Sequence, residues 1–176
     1  MKISDLLREQ DIVLGLQAQD TCSILAGMAA GLAARAGLSE QTVLLALLRR
    51  ERLGPTDIGR GIAVPHARLE KVAAPAAMLA ILDSPVWFDS SSDDPVDLVL
   101  ALLWPKVNSA GLLRALGSAC RLLRSAEISS GLRRVGSAAE AYALLGSAER
   151  PFKEPLQDQA QQLSESLPGS PCRSAL

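Results

Sequence analysis

Two uninterrupted apolar runs constrain the fold of this chain more than any other feature. They span Ala76–Leu82 and Val96–Trp104, and Pro95 and Pro105 flank the second run. A short apolar run without polar alternation is typical of a strand that is buried on both of its faces. The two runs therefore predict adjacent strands of a mostly buried sheet, which requires helices to cover it.

Helix signals on both sides of these runs supply that cover. Each predicted helix combines a capping residue or a polar start with leucine or alanine at helical spacing. The five predicted starts are Asp20 or Thr21, Ser39, Ser109, the neighbourhood of Ile128, and Ser137 with a capping box to Glu140. Gly37 is predicted to end the first helix and Gly146 the last. The segment Asp11–Leu16 is a candidate edge strand.

A third, short apolar run leads to the one histidine of the chain, His66. A residue before proline is pushed toward extended geometry, so Val64 is expected to end a strand that begins at Ile62. Pro65 has no N–H and should interrupt the ladder there. This places His66 at the carboxyl end of a strand, where open α/β sheets bind their ligands. A neutral imidazole is a nucleophile near pH 7, which makes His66 the candidate reactive residue.

Charge and composition exclude several classes of function. The formal net charge is −1, with 18 Lys and Arg against 19 Asp and Glu, so the basic footprint of a nucleic-acid-binding protein is missing. No apolar stretch reaches the roughly 18 residues of a membrane helix, and the amino end leads into no signal-peptide core. Cys22, Cys120 and Cys172 are odd in number and far apart, which argues against disulfides and zinc spacing. The first two are expected to be small buried residues in helices, and the expected location is the cytoplasm.

The composition changes near residue 147, and the chain is therefore divided there. Residues 1–147 are predicted to form one domain. Residues 148–176 are rich in Pro, Gln, Ser and Glu and are predicted to be a disordered tail. Within it Leu156, Ala160, Leu163 and Leu167 recur at nearly helical spacing, so a partly helical tail is the alternative.

Three blocks of residues resemble one protein family. They are Arg50–Gly59 (RERLGPTDIG), Gly61–Arg68 (GIAVPHAR), and Phe88–Asp89 followed by Pro95–Pro105 (PVDLVLALLWP). Together they resemble the enzyme IIA domains of the phosphotransferase system of the fructose/mannitol type (EIIA type 2), over about residues 1–147. Because no IIB or IIC segment accompanies these blocks, the chain is most similar to the stand-alone, nitrogen-regulatory branch of that family.

The resemblance implies a single-domain α/β/α sandwich with a mixed sheet and a phosphorylated histidine. His66 would accept a phosphoryl group from the phosphohistidine of the carrier protein HPr or its nitrogen-branch paralogue. Arg50 matches the arginine that stabilises the phosphate in the family, since a guanidinium can grip two phosphate oxygens. The Thr56 hydroxyl and the Arg68 side chain are further candidate phosphate ligands. No cofactor and no metal are expected.

The resemblance implies a IIB protein, a sensor kinase or a potassium transport component as the downstream partner. Neither nucleic-acid binding nor membrane insertion is expected.

Two departures from the family pattern keep other functions open. The family commonly has a second histidine at the start of the helix after the last strand, where this chain has Gly111 and Leu112, and Asp57 adds a carboxylate to the turn. One alternative is a degenerate binding module that transfers no phosphate. The other is a component of a sugar uptake system. Trp87 and Trp104 are predicted to be packing residues.

Overall fold

The two apolar runs form the centre of a five-stranded mixed sheet. The structure is a computed structural model and describes residues 2–88 and 94–149. The strands are β1 (Ile12–Leu16), β2 (Ile62–Ala63), β3 (His66–Leu69), β4 (Ala76–Val86) and β5 (Val96–Pro105). The helices are α1 (Thr21–Ala36), α2 (Glu40–Glu51), α3 (Ser109–Leu123), α4 (Ala126–Leu132) and α5 (Ala138–Ala148), and a 3₁₀ turn covers Glu9–Asp11.

The central pair, β4 and β5, is antiparallel, and each of these strands has a parallel neighbour on its other side. The order across the sheet is β1, β4, β5 and β2, with β3 also paired to β5. The edge strand predicted at Asp11–Leu16 is confirmed as β1, which pairs with β4. The central strand β5 explains why the second run is wholly apolar, because helices lie against both of its faces.

Alternate side chains of β5 enter two separate hydrophobic cores. Leu98, Leu100, Leu102 and Trp104 pack with side chains of α3, α4 and α5. Val99, Ala101 and Leu103 lie on the opposite face with side chains of α1 and α2. This alternation follows from the two-residue repeat of a strand. The α/β/α sandwich with a mixed sheet is therefore confirmed.

Local capping chemistry sets most of the helix ends. The Asp20 carboxylate accepts a hydrogen bond from the Ser23 N–H (2.7 Å), and α1 ends at Gly37, whose φ of 66° is left-handed. The predicted starts at Ser39 and Ser137 are confirmed as N-caps. The start of α3 at Ser109 is also confirmed, with Asn108 as its N-cap. One boundary was wrong: α5 continues through Gly146 to Ala148 because glycine is tolerated in a helix whose face is packed.

The strand before His66 is shorter than predicted, and a second strand follows it. Ile62 and Ala63 pair with Leu98 and Val99, and His66 resumes the same register opposite Leu102. β2 and β3 are thus two pieces of one edge strand, interrupted at Val64 and Pro65, as expected of proline at a sheet edge. His66 follows the carboxyl end of β2 and is also the first residue of β3, which corrects the prediction that the ladder stops before it.

Three packing predictions had a different outcome. Trp104 is buried, as predicted, but Trp87 is exposed, between its buried neighbours Val86 and Phe88. Cys22 is exposed and Cys120 partly exposed, so neither is the buried residue that was predicted. Some predictions lie outside the described residues. They concern Cys172, residues 89–93 of the turn predicted at Asp89–Asp94, and residues 150–176 of the predicted tail. None of the helices within 2–88 and 94–149 is long and apolar enough to span a membrane.

Candidate active site

A strained turn delivers the chain into β2 and toward His66. Gly59, Arg60 and Gly61 have consecutive positive φ values of 77°, 60° and 73°. The Arg133 side chain holds this turn, since its guanidinium donates to both carboxylate oxygens of Asp97 (2.6 and 2.7 Å) and to the Arg60 carbonyl (2.7 Å). A left-handed non-glycine residue such as Arg60 costs free energy and persists where surrounding contacts hold it. The ion pair therefore fixes the entry to the histidine segment.

The two ring nitrogens of His66 have different partners, and these partners define the tautomer. His66 Nδ1 lies 3.0 Å from the Val64 carbonyl oxygen, and Arg50 Nε lies 3.0 Å from His66 Nε2. A carbonyl can only accept, so Nδ1 carries the proton. A guanidinium N–H can only donate, so Nε2 presents its lone pair. The unprotonated nitrogen Nε2 is thus the nucleophilic atom of the ring.

Arg50 reaches His66 from the last turn of α2. Its Nη1 donates to the Gly54 carbonyl (2.9 Å) while its Nε faces the imidazole. The first bond anchors the planar guanidinium to the turn that follows α2, and the second aims it at Nε2. The structure thus brings Arg50 and His66 together across 16 residues of sequence.

The surroundings of His66 favour the neutral ring. Burial of the imidazole lowers its pKa below the ordinary value of 6.5, and the positive charges of Arg50 and Arg68 lower it further. The hydrogen bond to the Val64 carbonyl acts in the opposite direction, because it stabilises the protonated ring. With a lowered pKa, the ring is neutral and nucleophilic at pH 7.

His66 lies in an open pocket between α2 and α3, at the exposed edge of the sheet. The pocket has a volume of about 540 Å³ and contains Arg49, Arg50 and Arg68 but no carboxylate. Arg68 is on the same side as His66, and its Nη1 donates to Ser109 Oγ (2.6 Å) at the start of α3. The geometry therefore brings Arg68 to the predicted site.

Two exposed leucines form the rim of this pocket. The Leu53 side chain is 85% exposed and that of Leu113 is 71% exposed. Large apolar side chains exposed beside a cavity are typical of a surface that contacts another protein. We refer to Leu53 and Leu113 as the leucine rim.

The structure places Thr56 outside this pocket. Its side chain is buried, its hydroxyl donates to Glu51 Oε2 (2.7 Å), and its N–H donates to Glu51 Oε1 (2.7 Å). With both donors occupied, a phosphate role for the Thr56 hydroxyl stays a prediction that would require the Glu51 bond to break. Asp57 does not line the pocket either, since its backbone bridges to Ala63.

The position of the missing second histidine is occupied by apolar groups. Leu112 is buried and lines the pocket. At Gly111 an added Cβ would lie 2.7 Å from the Asn108 side chain that caps α3, so a larger residue does not fit there without displacing the cap. At these two positions α3 therefore offers no imidazole to the pocket, and Arg68 and Ser109 are polar residues that line it.

Sequence reasoning missed Glu51 and Ser109. A signal for Glu51 was present, because an acidic residue at a helix carboxyl end opposes the helix dipole and requires a reason. No local signal links Ser109 to Arg68, since 41 residues separate them.

Within the described residues, no group of three or more His, Cys, Asp or Glu side chains is placed to hold a metal ion. The site therefore combines a neutral nucleophile with guanidinium groups suited to an anion such as phosphate.

Comparison with known proteins shows which family this chain is similar to. The model of the family described as "Phosphoenolpyruvate-dependent sugar phosphotransferase system, EIIA 2" matches residues 5–148. A nitrogen regulatory protein of Bradyrhizobium diazoefficiens is 38% identical over 145 residues, which cover 82% of this chain and 95% of that protein. A nitrogen regulatory protein of Escherichia coli is 36% identical over 113 residues, with 64% of this chain and 69% of that protein covered.

Solved structures show the same fold. The crystal structure of the nitrogen regulatory protein IIA-Ntr from Neisseria meningitidis superimposes with a TM-score of 0.77 at 29% identity. The match covers 81% of this chain and 98% of that one. The IIA mannitol protein of Escherichia coli gives a TM-score of 0.67 at 25% identity, with 79% and 98% covered.

Proposed function

This chain belongs to the EIIA 2 family of the phosphoenolpyruvate-dependent sugar phosphotransferase system, and on that premise we propose that it accepts a phosphoryl group on Nε2 of His66. The donor is the phosphohistidine of a carrier protein, HPr or its nitrogen-branch paralogue. The observation that carries the proposal is the pairing of Nδ1 with the Val64 carbonyl and of Nε2 with Arg50.

In the proposed step, the lone pair of Nε2 attacks the phosphorus in line with the donor's P–N bond. The new bond joins Nε2 to phosphorus, and the donor imidazole leaves with the electron pair of the broken bond. No proton moves at Nε2, because that nitrogen carries none. The proton stays on Nδ1, hydrogen-bonded to the Val64 carbonyl oxygen, and this bond strengthens as positive charge spreads over the ring. Phosphoryl transfer demands positioning and charge stabilisation of this kind and little covalent chemistry from the protein.

Arg50 has two roles in this step. In the unphosphorylated protein its Nε–H occupies the lone pair of Nε2, so it must release that nitrogen as the phosphoryl group arrives. The same donor then serves an equatorial phosphate oxygen, while Nη1 remains on the Gly54 carbonyl. Arg68 adds a second positive charge on the α3 side of the pocket. We propose these two arginines as the phosphate ligands.

The shape of the surface supports a protein as the donor. The pocket is open, and the leucine rim of Leu53 and Leu113 extends beyond His66 into solvent. Large apolar side chains exposed beside a cavity are typical of protein-binding surfaces, and arginine is enriched in protein interfaces. A carrier with an apolar patch around its phosphohistidine fits this surface.

The regulatory branch is supported by the names of the relatives. Proteins of 38% and 36% identity are nitrogen regulatory proteins. We therefore propose a regulatory output, in which the phosphorylation state of His66 changes contacts with a downstream protein such as a sensor kinase or a potassium transport component. Relay to a IIB protein is the uptake alternative.

The test is carrier-dependent labelling. The chain is incubated with labelled phosphoenolpyruvate, enzyme I and each candidate carrier, beside His66→Ala, which removes the one histidine of the chain. We expect an acid-labile, base-stable label on the parent protein and none on His66→Ala. A parallel incubation with phosphoramidate, a small phosphoryl donor, separates the reactivity of the ring from carrier docking. A parent protein left unlabelled by every carrier and by phosphoramidate would refute the proposal in favour of a binding module that transfers no phosphate.

A further inference from the structure

Glu51 makes a pair of short hydrogen bonds that the proposed chemistry does not use directly. Its two carboxylate oxygens accept from the N–H and from the hydroxyl of the same residue, Thr56, each at 2.7 Å. This closes a ring between the last residue of α2 and the turn five residues later. The residues inside the ring include Gly54, whose carbonyl anchors Arg50.

The position is unfavourable for a carboxylate when only stability is considered. A negative charge at a helix carboxyl end is repelled by the helix dipole. Burial also raises the pKa of Glu51, which means that the folded environment disfavours the ionised form, although the Thr56 bonds and Arg50 oppose this. A residue that breaks a local rule for stability points to a functional reason for its presence.

The hydrogen bonds beyond Thr56 reach both nitrogens of His66. On one side, the turn held by Glu51 carries the Gly54 carbonyl, which binds Arg50 Nη1, and Arg50 Nε faces Nε2. On the other side, the Thr56 carbonyl accepts from the Val64 N–H (2.9 Å), and the Val64 carbonyl accepts from Nδ1. The two branches start at the single Glu51–Thr56 pair and converge on opposite edges of one ring.

We propose that Glu51 is a positioning residue that orients the imidazole of His66 and the guanidinium of Arg50 together, through Thr56. It touches neither the phosphoryl group nor the reacting nitrogen. The inference rests on the proposed phosphoryl transfer, and it adds that the Nδ1–H tautomer of His66 depends on a carboxylate that does not contact the ring.

Three variants and one control test it, in the full chain. Glu51→Ala removes both acceptors. Glu51→Gln keeps the shape and can retain both bonds, with the amide oxygen accepting from the Thr56 N–H and the amide NH₂ donating to the hydroxyl oxygen. Thr56→Val removes the hydroxyl bond alone and serves if Glu51→Ala fails to fold. The control is Glu149→Ala, because Glu149 also accepts two backbone N–H bonds (2.7 and 2.8 Å), from Ile3 and Ser4.

Two readouts are needed, the ¹⁵N shifts of the His66 ring and the rate of transfer from the carrier. Nitrogen shifts identify the protonated atom, and overall loosening of the fold does not select one tautomer. For Glu51→Ala we expect population of the Nε2–H tautomer and a transfer rate that is lower by about 10- to 100-fold, as for a misplaced reacting group. Thr56→Val should move both readouts in the same direction by less. Glu51→Gln should restore both, and Glu149→Ala should change neither.

The outcomes that would overturn the inference are distinct. Ring shifts unchanged from the parent in both Glu51→Ala and Thr56→Val would remove it. A Glu51→Gln protein with parent-like ring shifts and a reduced rate would show that the charge of Glu51 acts on the transfer itself. Ring shifts altered equally by Glu149→Ala would show general loosening. Because the shifts are recorded without any phosphoryl donor, they decide the positioning role even if carrier labelling fails.

Discussion

Replacement of Arg50 by methionine tests the electrostatic part of the site most directly. Methionine keeps the unbranched stem that packs at the end of α2 and removes the guanidinium. Two hydrogen bonds are lost, from Nε to His66 Nε2 at 3.0 Å and from Nη1 to the Gly54 carbonyl at 2.9 Å. The first is the one that passes to a phosphate oxygen during the proposed transfer.

The size of the effect follows from that bond. A hydrogen bond to a charged group contributes about 1.5–3 kcal/mol. With 1.36 kcal/mol for each factor of ten in rate, the carrier-dependent rate should fall roughly 10- to 150-fold in Arg50→Met. Arg50→Lys keeps the charge but loses the planar fork, so its rate should lie between those of the parent and Arg50→Met.

The same substitution should raise the pKa of His66. Burial is the largest cause of the lowered pKa and is retained in the variant, whereas the positive charge of Arg50 is removed. An NMR titration of the ring in Arg50→Met should therefore give a pKa above that of the parent and still below 6.5.

The assay is the rate of phosphoryl transfer from a labelled carrier, measured by rapid quench, with Arg49→Met as the matched control. Arg49 is the adjacent cation on the same turn of α2, and among the described residues it makes no hydrogen bond with His66. Arg49→Met should slow transfer less than Arg50→Met does. Equal rates for the parent and Arg50→Met, or equal losses in the two methionine variants, would refute the role of the Nε contact.

Three further predictions follow from the same geometry. Because the pKa of His66 is lowered in the folded protein, the unfolded chain binds a proton first on acidification. The free energy of unfolding of the parent, relative to that of His66→Gln, should therefore be highest above pH 6.5 and fall below that pH. A difference that stays constant in urea titrations from pH 8 to pH 5 would contradict this. Gly61→Ala should lose about 2–4 kcal/mol of unfolding free energy, and Gly59→Ala only about 1–2 kcal/mol. Both glycines have positive φ, but an added Cβ at Gly61 would lie 3.1 Å from the Pro95 carbonyl oxygen, whereas the space at Gly59 is open. Leu112→His should place an imidazole donor in the pocket. If the transition state of transfer is stabilised by about 1.4 kcal/mol, the rate should rise about tenfold. A folded variant with a rate at or below that of the parent would show that the new ring does not reach the phosphate.

The elements that were predicted correctly depend on neighbours in sequence. The apolar runs became β4 and β5 because a short unbroken apolar run fits a strand that is covered on both faces. Asp20, Gly37, Ser39 and Ser137 were identified as helix ends because a cap acts within three or four residues of itself. The Val64–Pro65 interruption was predicted for the same reason, since the steric effect of proline is local.

The errors arose where a partner distant in sequence decides the outcome. Trp87 is exposed although Val86 and Phe88 on either side of it are buried, because tertiary packing decides which side of this segment is covered. Thr56 has a hydroxyl suited to phosphate, but its buried position beside Glu51 assigns that hydroxyl elsewhere. His66 begins β3 because the register with β5 resumes after Pro65, and that register belongs to the pair of strands.

The amino-acid sequence by itself determined that helices pack on a mostly buried sheet and that one histidine, after a proline and beside a glycine-rich turn, is the reactive candidate. The tertiary structure decided which nitrogen of that histidine is nucleophilic, because Arg50 reaches Nε2 only after α2 packs beside β3. The physical reason is the range of the forces involved. Caps, turns and periodicity act over a few residues, whereas the state of an ionisable ring depends on the burial, charges and hydrogen-bond donors that packing brings to it.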